Sequence, residues 1–267
     1  MVDDSMGIIK DHLAVSAEYL KINVKTFVEY RISFVLQVVF IFLNNVIWLI
    51  FWFFFFVNFP VVNGYVFTDM AMIYGIVAMA YGLSGIFSNN RKDLAEIINK
   101  GKLDYYLTLP KNVLFHLGTS GLSIFSIGDL IFGIIVLIIF GGSYPLWLII
   151  LFIITGVILL NGIGIIVGSI AFYIGNSERL SHTLHLSTIA LSIYPIGIFG
   201  DYAKLILLTI FPVAFIGSIP LEVLKSFSLE GVLLIIGVAL VVLAIAVIVF
   251  YYGLRRYESG NLIYVRN

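Results

Sequence analysis

The sequence predicts an all-α polytopic membrane protein. It has six membrane-crossing helices, an amino-terminal interfacial amphipathic helix, a re-entrant segment before the last crossing, and both termini on the cytoplasmic side. Three observations carry that prediction. The 267 residues are 61% hydrophobic with a mean hydropathy of +1.10, a composition that belongs in a bilayer. The apolar residues come in long runs separated by short polar stretches. Lys and Arg are distributed unevenly between alternate loops. The chain has no cysteine, which excludes a disulfide framework and a Cys-based metal site. Its basic residues flank apolar runs and do not gather into a stripe, so no nucleic-acid surface is expected.

In chain order, residues 1–32 mix polar and apolar types. Ile9, Leu13, Ala17, Leu20, Val24, Phe27 and Arg31 fall near one helical face and Lys10, Glu18, Lys21, Lys25 and Glu29 near the other, which predicts a surface-lying amphipathic helix within this stretch. Acidic and basic residues run throughout this stretch, so it is not read as a signal peptide. The first span is 33–57, with Asn44 and Asn45 near its middle and Trp52 and four phenylalanines crowding its outer half. The second is 71–87. There Ala71, Gly75, Ala78, Gly82 and Gly85 make a stripe of small residues that lets another helix approach closely, within the chain or across a dimer.

The third span, 122–140, contains Asp129, and GGSYP at 141–145 is a tight turn. The fourth, 146–174, holds Asn161 and the GxxxG pair Gly164 and Gly168. The fifth, 183–199, contains Pro195 and should bend there. Residues 205–217 are apolar but too short to cross and are broken by Pro212, so 205–220 reads as a re-entrant or interfacial segment. The last span is 232–253, followed by a soluble tail, 254–267.

The longest water-soluble interruption is 90–110, NRKDLAEIINKGKLDYYLTLP. Asn90 can cap a helix with Asp93 three residues on, and Gly101 suits the left-handed residue that closes one. Leu94, Ile97 and Ile98 then share a face. A charged element with one apolar face suits docking on a partner, although a solvated connecting loop has the same residue types. The amino-terminal segment, 90–111, Arg179 and the tail together hold 13 Lys and Arg, against only Lys204 and Lys225 on the other side. The positive-inside rule then places 90–110 and both termini in the cytoplasm.

Asp129 is the one carboxylate that the span count forces into the bilayer, and such a residue is a functional candidate by default. The alternatives are that it pairs with a Lys or Arg, or caps a helix at the interface. A proton-coupled carrier would need further deep acids or histidines, and there are none. Asn44, Asn45, Asp129 and Asn161 are candidates for lining a substrate path, while interhelical hydrogen bonding is the other role for the asparagines, at about 0.6–2 kcal/mol each. Glu178, His182 and His185 stand at i, i+4 and i+7 and can face one metal, but no second helix offers a fourth ligand, so no metal site is expected. There is no GxSxG, HExxH or Walker A sequence, and therefore no expected catalytic residue or ATP site.

Three segments carry a family resemblance: LAEIINKGKLDYYLTLP at 94–110, Tyr194 and Pro195 followed by FPVAFIGSIP at 211–220, and GLRRYESGN at 253–261. Together they resemble the ABC-2 type permeases, the six-span bacterial and archaeal exporter subunits of about this length, over residues 15–261. The resemblance implies a half-transporter in the cell membrane whose cofactors, ATP and Mg, reside on a separate ATPase subunit. It implies that the surface helix covers 9–28, and that 94–107 docks on that ATPase through Leu94, Glu96, Ile97, Lys100, Gly101, Lys102, Leu103, Asp104 and Tyr105. It implies that 205–220 forms an extracellular re-entrant gate, and that a second permease chain, identical or distinct, completes the transporter among membrane lipids. The rival readings are a gradient-driven secondary carrier, for which no internal repeat is visible, and a non-transporting anchor or sensor subunit.

Overall fold

The computed structural model describes residues 31–109, 112–121, 123 and 125–258; the surface helix expected at 9–28 and the tail beyond 258 lie outside them. Within the described residues the fold is helical, apart from one isolated bridge between Val62 and Tyr65. Among the described residues four helices are long and apolar enough to cross a bilayer: α1 (Arg31–Asn58), α2 (Phe67–Ser88), α7 (Leu146–Gly168) and α11 (Leu229–Leu254). Between them lie the short helices α3 (Leu94–Asn99), α4 (Leu103–Leu107) and α5 (Val113–Thr119), then α6 (Phe125–Phe140). After α7 come α8 (Glu178–Ser192), α9 (Asp201–Leu208) and α10 (Ser218–Lys225).

Two of the expected spans are shorter than their apolar runs suggested. Helix α6 has 16 residues, about 24 Å at 1.5 Å per residue, against a ~30 Å hydrocarbon core. Helix α8 begins at Glu178, five residues before the expected start of the fifth span, and stops at Ser192. Pro195 therefore ends this helix where a bend was expected. Proline lacks the N–H of the next turn and disfavours helical backbone in the residue before it, and the chain continues as an extended Pro195 and a 3-10 turn at Ile196–Ile198. The 205–220 segment resolves into α9, a 3-10 turn at Val213–Phe215 and α10. Pro212 separates the two helices, whereas Pro220 is tolerated in the first turn of α10, where no N–H is required.

The helices run between two poles. At the first pole, α2 ends against the start of α6, where Gly85 meets Ser126, and the ends of α7 and α11 gather around Leu94 and Phe250. At the second, the start of α2 meets the end of α6 through Phe67 and Phe140 and the end of α1 through Phe53. Helix α2 is the centre: it packs on α1, α6 and α7, and 72% of its most apolar window is buried, against 11% for α1. A helix apolar all round belongs inside, and α2 is one.

The small-residue stripe of α2 is used within the chain. A Cβ at Gly75 would touch Val136 and Leu137, and one at Gly82 would fall 2.7 Å from Leu130. Ala71 and Ala78 pack with Phe132 and Val136 of the same neighbour. The largest core lies on the other side of α2, against α7, α10, α11 and the Val213–Phe215 turn, where Phe152, Val213, Ile216, Leu221 and Ile235 are fully buried.

Candidate functional site

At the first pole, the segment after α2 folds back as a small charged platform. Leu94, Ile97 and Ile98 do share a face, and with Ala95 and Leu103 they pack against Ile165 and Ala171 at the end of α7 and Ala246 and Phe250 at the end of α11. Gly101 closes α3 in the left-handed region, φ +67°, its N–H donating to Ile98 O at 3.1 Å. On the outer surface, Glu96 Oε1 accepts from both Lys100 Nζ and Lys102 Nζ at 3.0 Å, and Tyr105 is 59% exposed. Exposed ion pairs of this kind add at most about 1 kcal/mol, so burial of the underside holds the platform in place. Asp104 lies beside Tyr257 of the segment after α11; burial, and then that carboxylate, push the Tyr257 phenol above its usual range.

The GxxxG pair of α7 receives this platform. A Cβ at Gly164 would stand 3.0 Å from Arg91 Cδ, and one at Gly168 would stand 2.6 Å from Leu94 Cβ. Arg91 is buried, its Nη1 donating to Ser84 O and Ser88 O at 2.9 Å, so the guanidinium satisfies the carbonyls at the end of α2. Asn90 does not cap α3: Asp93 occupies the cap position, and Asn90 Nδ2 donates instead to Ser120 Oγ at 2.7 Å. The α5 region is thereby tied to the platform. Neither role of Arg91 or Asn90 was visible in the sequence, because each depends on a partner from another element. An open cleft of about 380 Å³ separates the platform from the start of α8, lined by Lys92, Asp93, Glu96, Glu178, Arg179 and His182.

The second feature lies between the poles and reaches the first one at Lys92 and Ser123. Tyr74 OH donates to Asn45 Oδ1 at 2.6 Å, and Asn45 Nδ2 donates to Asp129 Oδ1 at 2.8 Å. Asp129 and Asn45 are both buried. Asp129 thus pairs with an amide across helices; neither the Lys or Arg partner nor the cap considered for it is present among the described residues. This triad lines a cavity of about 560 Å³ between α1, α2, α6 and α8, with Asn44 and Trp48 at the α1 wall. The expected path residues Asn44, Asn45 and Asp129 therefore meet, joined by Tyr74, Tyr81 and Tyr194, which sequence reasoning missed. Asn161 lies elsewhere on α7, its Nδ2 donating to Val157 O at 2.9 Å, and it does not line this cavity.

These two features lie in a stretch that is similar to a known family: the family model described as ABC-2 family transporter protein matches residues 42–260. The chain belongs to that family. No curated protein and no solved structure matches it. The matched region of this ABC-2 family protein begins inside α1, passes beyond α11, and contains the platform, the cavity and the second pole. At that pole Asn63 and Gly64, at φ +49° and +84°, form a tight turn that positions Tyr65. Tyr65 OH donates to Glu222 Oε1 at 2.6 Å, and Lys225 Nζ pairs with the buried Asp69 at 2.7 Å. The transporter protein thus ties its α1–α2 turn to α10 by a hydrogen bond and the first turn of α2 to α10 by an ion pair. Among its described residues no group of three His, Cys, Asp or Glu side chains is placed to hold a metal, and Glu178, His182 and His185 do not converge.

Proposed function

We propose that this chain is the transmembrane permease subunit of an ABC-2 type ATP-driven exporter. A separate ATPase subunit, carrying ATP and Mg, docks on the platform from the cytoplasm. The permease crosses the cell membrane six times, α6 and α8 being the short crossings, with both termini inside. Helices α9 and α10 are the re-entrant gate on the outer side. A second permease chain, identical or distinct, completes the translocation path, and the largely unburied apolar surface of α1 faces lipid or that second chain.

One observation carries the reading: an outward charged surface on Glu96, Lys100 and Lys102 is mounted on an apolar underside embedded in the ends of α7 and α11. A partner that moves this platform moves those helices. Direction of force is possible because an ATP-bound partner would hold the two permease states unequally. No catalytic residue is required in this chain, since energy enters mechanically.

Purification of the tagged protein in mild detergent tests the reading. A nucleotide-binding protein is expected to accompany the wild type, and Gly101→Pro is expected to lose it. Proline cannot adopt φ +67° and removes the N–H that donates to Ile98 O. Membrane insertion of the variant should be unchanged, and transport should fall to background. A wild-type protein that transports without any ATPase would return the reading to a secondary carrier.

A further inference from the structure

We propose that the cavity beside Asp129 binds a lipophilic organic cation, and that this is the class of cargo; the second clause rests on the permease reading above. Asp129 is 8% exposed and carries one hydrogen bond, from Asn45 to Oδ1; Oδ2 has no hydrogen-bond partner among the described residues. No Lys, Arg or His of the described chain forms an ion pair with it, and Lys92, the cation that lines the same cavity, is unpaired with it too. An ionised carboxylate in a low-dielectric interior is costly without a counter-charge. The fold supplies the space for one: the cavity, about 560 Å³, falls in the range that holds a single small organic molecule.

The walls select the kind of cation. Trp48, Tyr74, Tyr81 and Tyr194 bring four aromatic rings to the cavity, and Val77 and Ile193 make it greasy between them. Aromatic faces attract a diffuse positive charge, most strongly when it is poorly hydrated. A small metal ion would require several oxygen ligands, and only one carboxylate is present. An anion would meet Asp129 directly. A sugar would need many more hydrogen-bonding groups than this wall offers. The Tyr74–Asn45–Asp129 chain fixes the carboxylate with its free oxygen available, which is the arrangement that a bulky cation with no N–H donor can use.

The test employs the full chain in lipid nanodiscs, with tetraphenylphosphonium as probe, triphenylphosphine oxide as a neutral compound of similar shape, and empty nanodiscs subtracted. The wild type is expected to bind the cation at least tenfold tighter than the neutral compound. Asp129→Asn is expected to abolish that preference, and Asp129→Glu to retain part of it. The chain is free of cysteine, so Ile189→Cys in the cavity wall gives a second readout that keeps Asp129 in place. Its maleimide labelling should be slowed by tetraphenylphosphonium and not by the oxide. Equal binding of both compounds, equal cation affinity in wild type and Asp129→Asn, or no protection of residue 189 overturns the proposal. Those results leave co-purification of an ATPase untouched. Cation binding without any ATPase partner would retain the site and sink the permease reading instead.

Discussion

Tyr65 is a residue on which pH acts with a definite sign. Burial, and then its hydrogen bond to Glu222, push the phenol up to about 12. A folded-state value above the unfolded one means that the folded protein keeps the proton longer. The stability this contributes is complete below about pH 10 and is lost as pH rises from there through 12. Thermal unfolding in detergent is therefore expected to lose on the order of 1–2 kcal/mol over that window in the wild type, and less in Tyr65→Phe. Identical pH profiles for the two proteins would remove the contact from the energetics. At this scale the sequence was a partial guide. Gly101 announced its left-handed backbone because a glycine after an apolar-periodic stretch has few other reasons to be there. Asn90 misled, since an asparagine ahead of a helix has the look of a cap whether or not a serine thirty residues away claims its amide.

Among the elements, the contact between α7 and α3 is the one that turns a surface platform into part of the bundle. Gly168 leaves no space for a side chain, with Leu94 only 2.6 Å from where its Cβ would stand. Gly168→Leu must lift α3 from α7, and overpacking of that kind costs typically 1–3 kcal/mol. A lower unfolding temperature is expected, together with reduced transport at unchanged ATPase co-purification, because the docking surface survives while its seat is displaced. Unchanged transport in a variant of normal abundance would mean that the platform acts without α7. The GxxxG pattern was legible in the sequence, and it suggested a close approach by another helix. That the approaching element is the short charged segment 91–94 could not be read there, because small-residue spacing specifies a groove and not its occupant. The stripe on α2 has the same character: its spacing predicted close packing, and the tertiary structure assigned it to α6.

For the whole molecule, the two-pole arrangement sets the sidedness of every loop. If the platform is cytoplasmic, Lys204 at α9 lies on the outer side. Single cysteines are informative because the natural chain has none. In intact cells, Lys204→Cys is expected to react with a membrane-impermeant maleimide, and Lys100→Cys only after the membrane is opened. The reverse pattern would invert the topology and detach the platform from a cytoplasmic motor. The hidden centre of α2 and the exposed flank of α1 also belong to this scale, since both follow from how the helices pack on one another.

By itself the sequence determined that this is a helical membrane protein, where its long apolar helices lie, and which charged segment interrupts them. Those properties follow from composition and period, which act along the chain and need no partner. Only the tertiary structure decided that Pro195 ends a helix, that Arg91 is buried beneath Gly164, and that Asn45, Tyr74 and Asp129 form one chain of hydrogen bonds around a cavity. A hydrogen bond or a steric seat exists between two elements, and local patterns along either element do not encode which residue of the other will be opposite.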